Sequence, residues 1–141
     1  MINLKQATFI IPVQIESTDR EFNFMYIIQY LCNNFATNII IKEIDSVSKV
    51  ALLLHKIDYK QTNIIHLFEQ SISPVFPRTR LLNEMLSIVK TPITVNYDID
   101  VFMHPDAYVD ACNKILNGYD LVYPFLKGQS QKQIFADGRQ Q

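Results

Sequence analysis

The sequence predicts an α/β fold, a mostly parallel sheet with helices on both faces. The 141 residues are enough for one domain with a substantial core. Hydrophobic residues make up 48% of the chain and charged residues 19%, which excludes disordered and linker-dominated classes. Short apolar runs alternate with amphipathic helical patterns along the whole chain. Such alternation is typical of parallel strands joined by right-handed helical crossovers.

The first predicted strand is residues 7–13, a nearly continuous apolar run of the kind found in strands that are covered on both faces. A helix follows, because Thr18 and Glu21 form a capping-box signature and residues 24–35 carry one apolar stripe at helical spacing. Residues 37–45 form the second apolar run and are predicted to be the second buried strand.

A short helix is predicted within residues 46–57, where Ser46 could cap the first turn. Residues 62–70 are again apolar and β-branched, and they are predicted to be a third buried strand. The spacing of Leu81, Leu82, Met85, Ile88 and Val89 predicts the next helix.

Residues 91–100 are predicted to be a fourth strand that ends in acidic residues. The last helix is expected to open with Pro105 near its first position and to end at Gly118, the usual places for these residue types. Residues 120–125 complete the pattern as a fifth strand. The carboxyl ends of these strands are where an α/β sheet binds ligands.

Charge and cysteine usage limit the possible partners and locations. The net charge is −1 and Lys and Arg do not cluster, which argues against nucleic acid as a partner. Cys32 and Cys112 fall on apolar helix faces and are interpreted as buried small hydrophobes. No apolar run reaches the about 18 residues of a transmembrane segment, and no cleavage site follows the N-terminus. A cytoplasmic location is therefore expected.

The three glycines, at 118, 128 and 138, allow neither a Rossmann dinucleotide fingerprint nor a P-loop. A nucleotide bound by this sheet would need a metal ion and side chains to neutralise its phosphates. Asp98 and Asp100 could supply the metal ligands, because residues two apart on a strand project to the same face. A chain of this composition contains about 0.6 such D-x-D tripeptides by chance, so two solvated turn residues are the alternative.

Arg78 and Arg80 stand at the predicted start of a helix, where cations are unfavourable unless an anion lies nearby. They are either phosphate ligands or solvated surface residues. Glu43 and Asp45 could accept hydrogen bonds from a nucleoside, although Asp45 could equally be a helix cap. His66, within an apolar run, is interpreted as a core residue.

His104 is a weak candidate metal ligand because it lies close to the two aspartates in the chain. The histidines share no ligand spacing with each other or with the cysteines, and the sequence contains no recognisable nucleophilic triad.

Four segments and a fifth short one occur together in a specific order. They are "TFIIPVQIES", "TNIIIKEIDS", "PVFPRTRLLNEM", "TPITVNYDIDVFMHPDAY" and "GYDLVYPF". Jointly they resemble the nucleotide-sugar-binding half of the A-type glycosyltransferase fold. The likeness is strongest to family 2 enzymes and to the N-terminal region of galactosyltransferases and chondroitin-synthase-like enzymes, and it covers residues 7–125.

The resemblance implies roles for individual residues. The loop after the first strand would contact the uracil and ribose of a UDP-sugar, the acidic end of the second strand would meet the nucleoside, and the D-x-D would bind Mn²⁺ or Mg²⁺ at the diphosphate. The implied donor-binding residues are Pro12, Val13, Gln14, Glu16, Asp45, Arg78, Asn83 and Asp98, and the implied metal ligands are Asp98 and Asp100.

The implied function is metal-dependent transfer of a sugar, of the galactose or N-acetylhexosamine type, from a UDP-sugar to a glycan hydroxyl in polysaccharide biosynthesis. Residues 1–125 would form the donor-binding domain, and residues 126–141 a polar tail or the start of a missing acceptor half. The sequence identifies no general base. The alternative is a non-catalytic nucleotide-sugar-binding module, completed by a partner chain or by a second copy.

Overall fold

The computed structural model describes residues 1–124 and divides the chain into two compact units. The first unit, Met1–Phe102, contains the whole sheet described here, and the second begins at Met103. The elements are β1 (Ile2–Val13), α1 (Thr18–Asn34), β2 (Phe35–Asp45), α2 (Val50–Leu54), β3 (Asn63–Gln70), α3 (Arg78–Leu86), β4 (Ile93–Asn96) and α4 (Pro105–Leu116). Among the described residues, no helix is long and apolar enough to cross a membrane.

The four strands form one sheet in the order β3-β2-β1-β4, and all three pairs of neighbours are parallel. The predicted α/β class and parallel sheet are therefore confirmed. The chain builds outward from β1 to β3 and then returns to place β4 on the other side of β1. Right-handed crossovers consequently put α1 and α2 on one face and α3 on the other. This arrangement is compatible with a Rossmann-like fold.

Helix α3 covers one face of the sheet. Its Leu81 and Met85 are fully buried and form a cluster with Ile10, Ile40 and Ile44 of the two central strands. Ile10 pairs with Ile40, and Ile44 lies four residues further along β2, so the three side chains project from the same face of the sheet. Burying an apolar cluster of this size is the main term that holds α3 in place.

The opposite face of the central strands is covered by α1. Phe9, Ile11, Ile39 and Ile41 are fully buried there. Helix α1 contacts β2 and buries Phe24, Ile27, Ile28, Leu31 and Cys32, which include most of the predicted stripe, whereas Phe35 at the end of the stripe instead begins β2. This part of the predicted stripe is confirmed, and so is the burial of Cys32, whose thiol pKa is raised to about 11 mainly because burial disfavours the thiolate.

Two strand predictions are wrong. Residues 62–70 do form β3, but β3 is an edge strand rather than one covered on both faces, and Ile65 and Phe68 remain 50% and 41% exposed. An apolar run alone cannot distinguish an edge from a centre. The predicted strand at 120–125 is not formed over 120–124, and Phe125, like residues 126–141, lies outside the described residues.

The helices begin close to the predicted positions, with two corrections. The N-cap of α1 is Ser17 rather than Thr18, because the Ser17 hydroxyl accepts from the Arg20 N–H at 3.1 Å. Helix α2 is only one turn long, and Lys49 rather than Ser46 stands at its N-cap. The last helix begins at Pro105, as predicted, and Gly118 follows it with a φ of 106°, a conformation that suits glycine.

Candidate functional site

A cleft opens where β1 and β4 end. Just after β4 ends, Tyr97 N donates to Ile10 O of β1 at 3.1 Å. Two residues further along β1 is Pro12, which has no N–H to donate and therefore cannot continue the ladder. The strands consequently part at their carboxyl ends, between helices that lie on opposite faces of the sheet. This is the topological switch point, where α/β sheets bind ligands.

The cleft encloses about 290 Å³. Seven of the nine residues implied by the resemblance line it, and they come from segments far apart in the chain. The lining residues are Pro12, Val13, Gln14, Glu16, Arg20, Phe76, Arg78, Asp98, Ile99 and Asp100. This volume is close to the lower end of small-molecule sites, which span about 300–1,000 Å³.

Asp98 and Asp100 lie in the loop that follows β4, not on the strand itself as predicted, because β4 ends at Asn96. Between them, Ile99 is 2% exposed and anchors the turn in the core. The aspartates on either side are exposed and both line the cleft. Alternation about the buried Ile99 thus leaves both aspartates exposed beside one cavity, as strand geometry was expected to do.

The two carboxylates determine which metal this cleft could hold. Among residues 1–124, no group of three or more His, Cys, Asp or Glu side chains is arranged to bind an ion. Two carboxylate groups provide hard oxygen ligands, and Mg²⁺ is commonly held by one or two carboxylates together with substrate phosphates and water. The donor set therefore fits Mg²⁺ or Mn²⁺ shared with a phosphate ligand, and it does not fit a site built by protein alone.

Arg78 and Arg80 serve different purposes although they are two residues apart. Arg78 opens α3, lines the cleft, and donates from Nη2 to Asp98 Oδ1 at 3.1 Å. Arg80 instead donates to Glu69 and Glu84, each at 2.7 Å at the shortest. Of the two arginines, only Arg78 is placed to meet a phosphate in the cleft.

Asp45 and Asn83 are not brought to the cleft lining. Asp45 is 7% exposed and accepts from Ser46 N at 2.7 Å and from Lys49 Nζ at 3.1 Å. Lys49 Nζ also donates to Ile15 O at 2.8 Å, which ties the end of β2 to the loop after β1. Asp45 therefore helps to position the loop after β1 through Lys49, without lining the cleft itself. Asn83 is exposed on α3.

Glu43 caps the start of α2, a role for which the sequence suggested Asp45 or Ser46. Its side chain is fully buried, and its Oε2 accepts the backbone N–H groups of Lys49 and Val50 at 2.8 and 3.2 Å. Its Oε1 lies 2.6 Å from Ser48 Oγ and 3.0 Å from His66 Nε2. His66 thus has a satisfied partner, but it is half-buried on the edge strand β3 rather than a core residue as predicted.

The other candidate histidine, His104, belongs to the second unit. It is exposed there and caps α4, with Nδ1 accepting from Asp106 N at 3.1 Å.

Three cleft residues were missed by sequence reasoning: Arg20, Phe76 and Ile99. A signal for Arg20 existed, because it is a cation in the first turn of α1, the same unfavourable placement that singled out Arg78. Its Nε lies 3.7 Å from Glu16 Oε1. Phe76 and Ile99 carry no chemical signal, and only the folded chain brings them to the cleft.

A scan of this chain against protein-family models found no match, and searches of curated proteins and of solved structures found none either.

Proposed function

We propose that this cleft binds a UDP-sugar together with Mn²⁺ or Mg²⁺, and that the protein is a glycosyltransferase of the A-type fold that transfers the sugar to a glycan hydroxyl. The observation that carries the proposal is the convergence of the loop after β1, the start of α3 and the D-x-D on one cleft at the switch point. The charges there suit a metal diphosphate, with Asp98 and Asp100 for the cation and Arg78 for the phosphate oxygens.

Each group has a distinct role in the proposed site. When bound, the metal would neutralise the diphosphate and act as a Lewis acid for the departing UDP. Asp98 and Asp100 would hold that ion, and Arg78 would contact the phosphates as a bidentate donor. The Gln14 side chain, which lines the cleft, carries both a donor and an acceptor for the edge of a base. Lys49 would keep the loop after β1 in position through its bond to Ile15 O.

Calorimetric titration of UDP with and without Mn²⁺ tests the proposal on wild type, Asp100→Asn and Asp58→Asn. We expect Mn²⁺-dependent binding by wild type and at least about a tenfold loss in Asp100→Asn, because a neutral amide is a poor ligand for a hard cation. Asp58→Asn removes the same charge from an exposed residue that does not line the cleft, and it should bind like wild type. Equal, metal-independent behaviour of all three proteins would contradict the assignment of Asp100.

Turnover separates the two functions that such a site can serve. Release of UDP from UDP-galactose or UDP-N-acetylhexosamine, with or without an added glycan acceptor, would support the transferase. Tight Mn²⁺-dependent binding with no release under the same conditions would instead support a nucleotide-sugar-binding module that works with a partner chain or a second copy.

A further inference from the structure

The cleft contains two arginine–carboxylate pairs. Arg78 Nη2 lies 3.1 Å from Asp98 Oδ1, and Arg20 Nε lies 3.7 Å from Glu16 Oε1. All four side chains line the same cavity, and between 43% and 61% of each side chain is exposed. Only the first pair involves a carboxylate of the D-x-D.

Asp98 Oδ1 is therefore engaged by a guanidinium, although the same carboxylate is one of the two proposed metal ligands. A cation and a guanidinium compete for the same carboxylate, because each is attracted to its negative charge and repelled by the other. The competition also works in the other direction, since Arg78 cannot give its full charge to a phosphate while it is paired with Asp98. Breaking this one ion pair makes Asp98 available to a metal and Arg78 available to a phosphate.

We propose that the Arg78–Asp98 ion pair is a latch that makes metal and nucleotide bind cooperatively. In the free protein Arg78 occupies Asp98; when metal and diphosphate arrive together, the metal takes Asp98 and Arg78 moves to the phosphate oxygens. This inference rests on the proposed function. It adds that neither ligand alone is held well, because each alone breaks the pair and leaves one of its two charges without a partner.

The exposure of the pair limits its strength and makes the exchange feasible. Solvent-exposed ion pairs are weak, so release of Asp98 should strengthen Mn²⁺ binding by only about two- to fivefold. Cooperativity between two ligands is reciprocal, so the factor by which Mn²⁺ strengthens UDP binding must equal the factor by which UDP strengthens Mn²⁺ binding. Both factors should fall when Arg78 is removed.

The experiment measures Mn²⁺ binding without nucleotide, by electron paramagnetic resonance of the free ion, and UDP binding with and without Mn²⁺ by calorimetry. The variants are Arg78→Gln and, as the matched control, Arg20→Gln, which removes the same charge from the same cavity but from a residue paired with Glu16. We expect Arg78→Gln to bind Mn²⁺ alone about two- to fivefold more tightly than wild type, with a clearly smaller gain in Arg20→Gln. We also expect the factor by which Mn²⁺ strengthens UDP binding to fall by about two- to fivefold in Arg78→Gln, while the coupling that comes from direct contact between metal and diphosphate is kept.

Two results would overturn the latch. Equal gains in Mn²⁺ affinity for the two variants would mean that only long-range charge matters, and unchanged cooperativity in Arg78→Gln would mean that the pair is not exchanged. Both can occur while wild type still binds UDP with Mn²⁺, in which case the proposed function stands without the latch. If wild type binds no UDP in the presence of Mn²⁺, the proposed function fails and the latch fails with it.

Discussion

Glu43 and Asp45 lie on the same strand and project to the same face, yet the structure gives them different partners. Glu43 caps α2 and contacts His66, whereas Asp45 fixes Lys49 and through it the loop after β1. From the sequence, both residues were possible nucleoside ligands. Their actual partners, on the loop before α2 and on β3, cannot be recognised without the fold. The sequence singled out Asp98, Asp100 and Arg78 more readily. The spacing of the two aspartates and the position of Arg78 at a predicted helix start are both local features of the chain.

We expect Glu43→Ala to destabilise the protein by about 3 kcal/mol, because it leaves two backbone N–H groups and the His66 ring without their buried acceptor. Urea unfolding at pH 7 measures the change. Glu43→Gln retains one acceptor oxygen and should lose clearly less, and Glu21→Ala, which truncates an exposed glutamate on α1, should lose little. A loss below about 1 kcal/mol for Glu43→Ala would show that the carboxylate does not hold α2.

At the scale of elements, the sequence predicted those that have a strong period and a buried environment. The apolar pattern of the sequence predicts helix α1 and the central strands β1 and β2, because the pattern of each is contained within its own segment. Helix α2 was predicted within residues 46–57 but forms a single turn, since the stabilising contacts of its first turn come from Glu43 on another element. The exposure of β3 depends on strand order, which the sequence does not contain.

An exposed ionic network joins α3 to the edge of the sheet, and it has a defined pH response. Arg80 hydrogen-bonds to Glu69 of β3 and to Glu84 of α3, while Lys42 of β2 lies 3.1 Å from Glu84. Hydrogen bonds from Arg80 hold the pKa of both glutamates below the usual value of about 4.5. Because these pKa values are depressed in the folded state, the stabilisation is present above about pH 4.5 and is lost as the pH falls through the folded-state values.

Arg80→Gln should therefore lose less stability than wild type when the pH is lowered from 7 to 3, since the variant lacks the pairing that protonation of the glutamates destroys. Urea unfolding at a series of pH values compares the two proteins, with Arg20→Gln, whose partner is the exposed Glu16, as a second arginine variant. Parallel pH profiles for wild type and Arg80→Gln would contradict the role of the network.

For the molecule as a whole, the strand order explains why residues so distant in sequence reach one cleft. Strand β4 returns to the side of β1, and Pro12 ends their ladder, so the loops after both strands face each other across a gap. Residue chemistry singled out Arg78, Asp98 and Asp100, and the resemblance added residues 12–14 and Glu16, so most of the cleft lining was named from the sequence. The sequence could not predict the pairing of Arg78 with Asp98 or the presence of Phe76 in the cleft, which depend on how α3 packs against the sheet.

The most direct test of the central claim is a crystal structure of the protein grown with UDP and Mn²⁺, with the ion located by its anomalous scattering. We expect a Mn²⁺ peak at the carboxylates of Asp98 and Asp100, with the diphosphate beside it and the uracil against the loop after β1. UDP bound elsewhere on the protein, or Mn²⁺ with no contact to either aspartate, would contradict it.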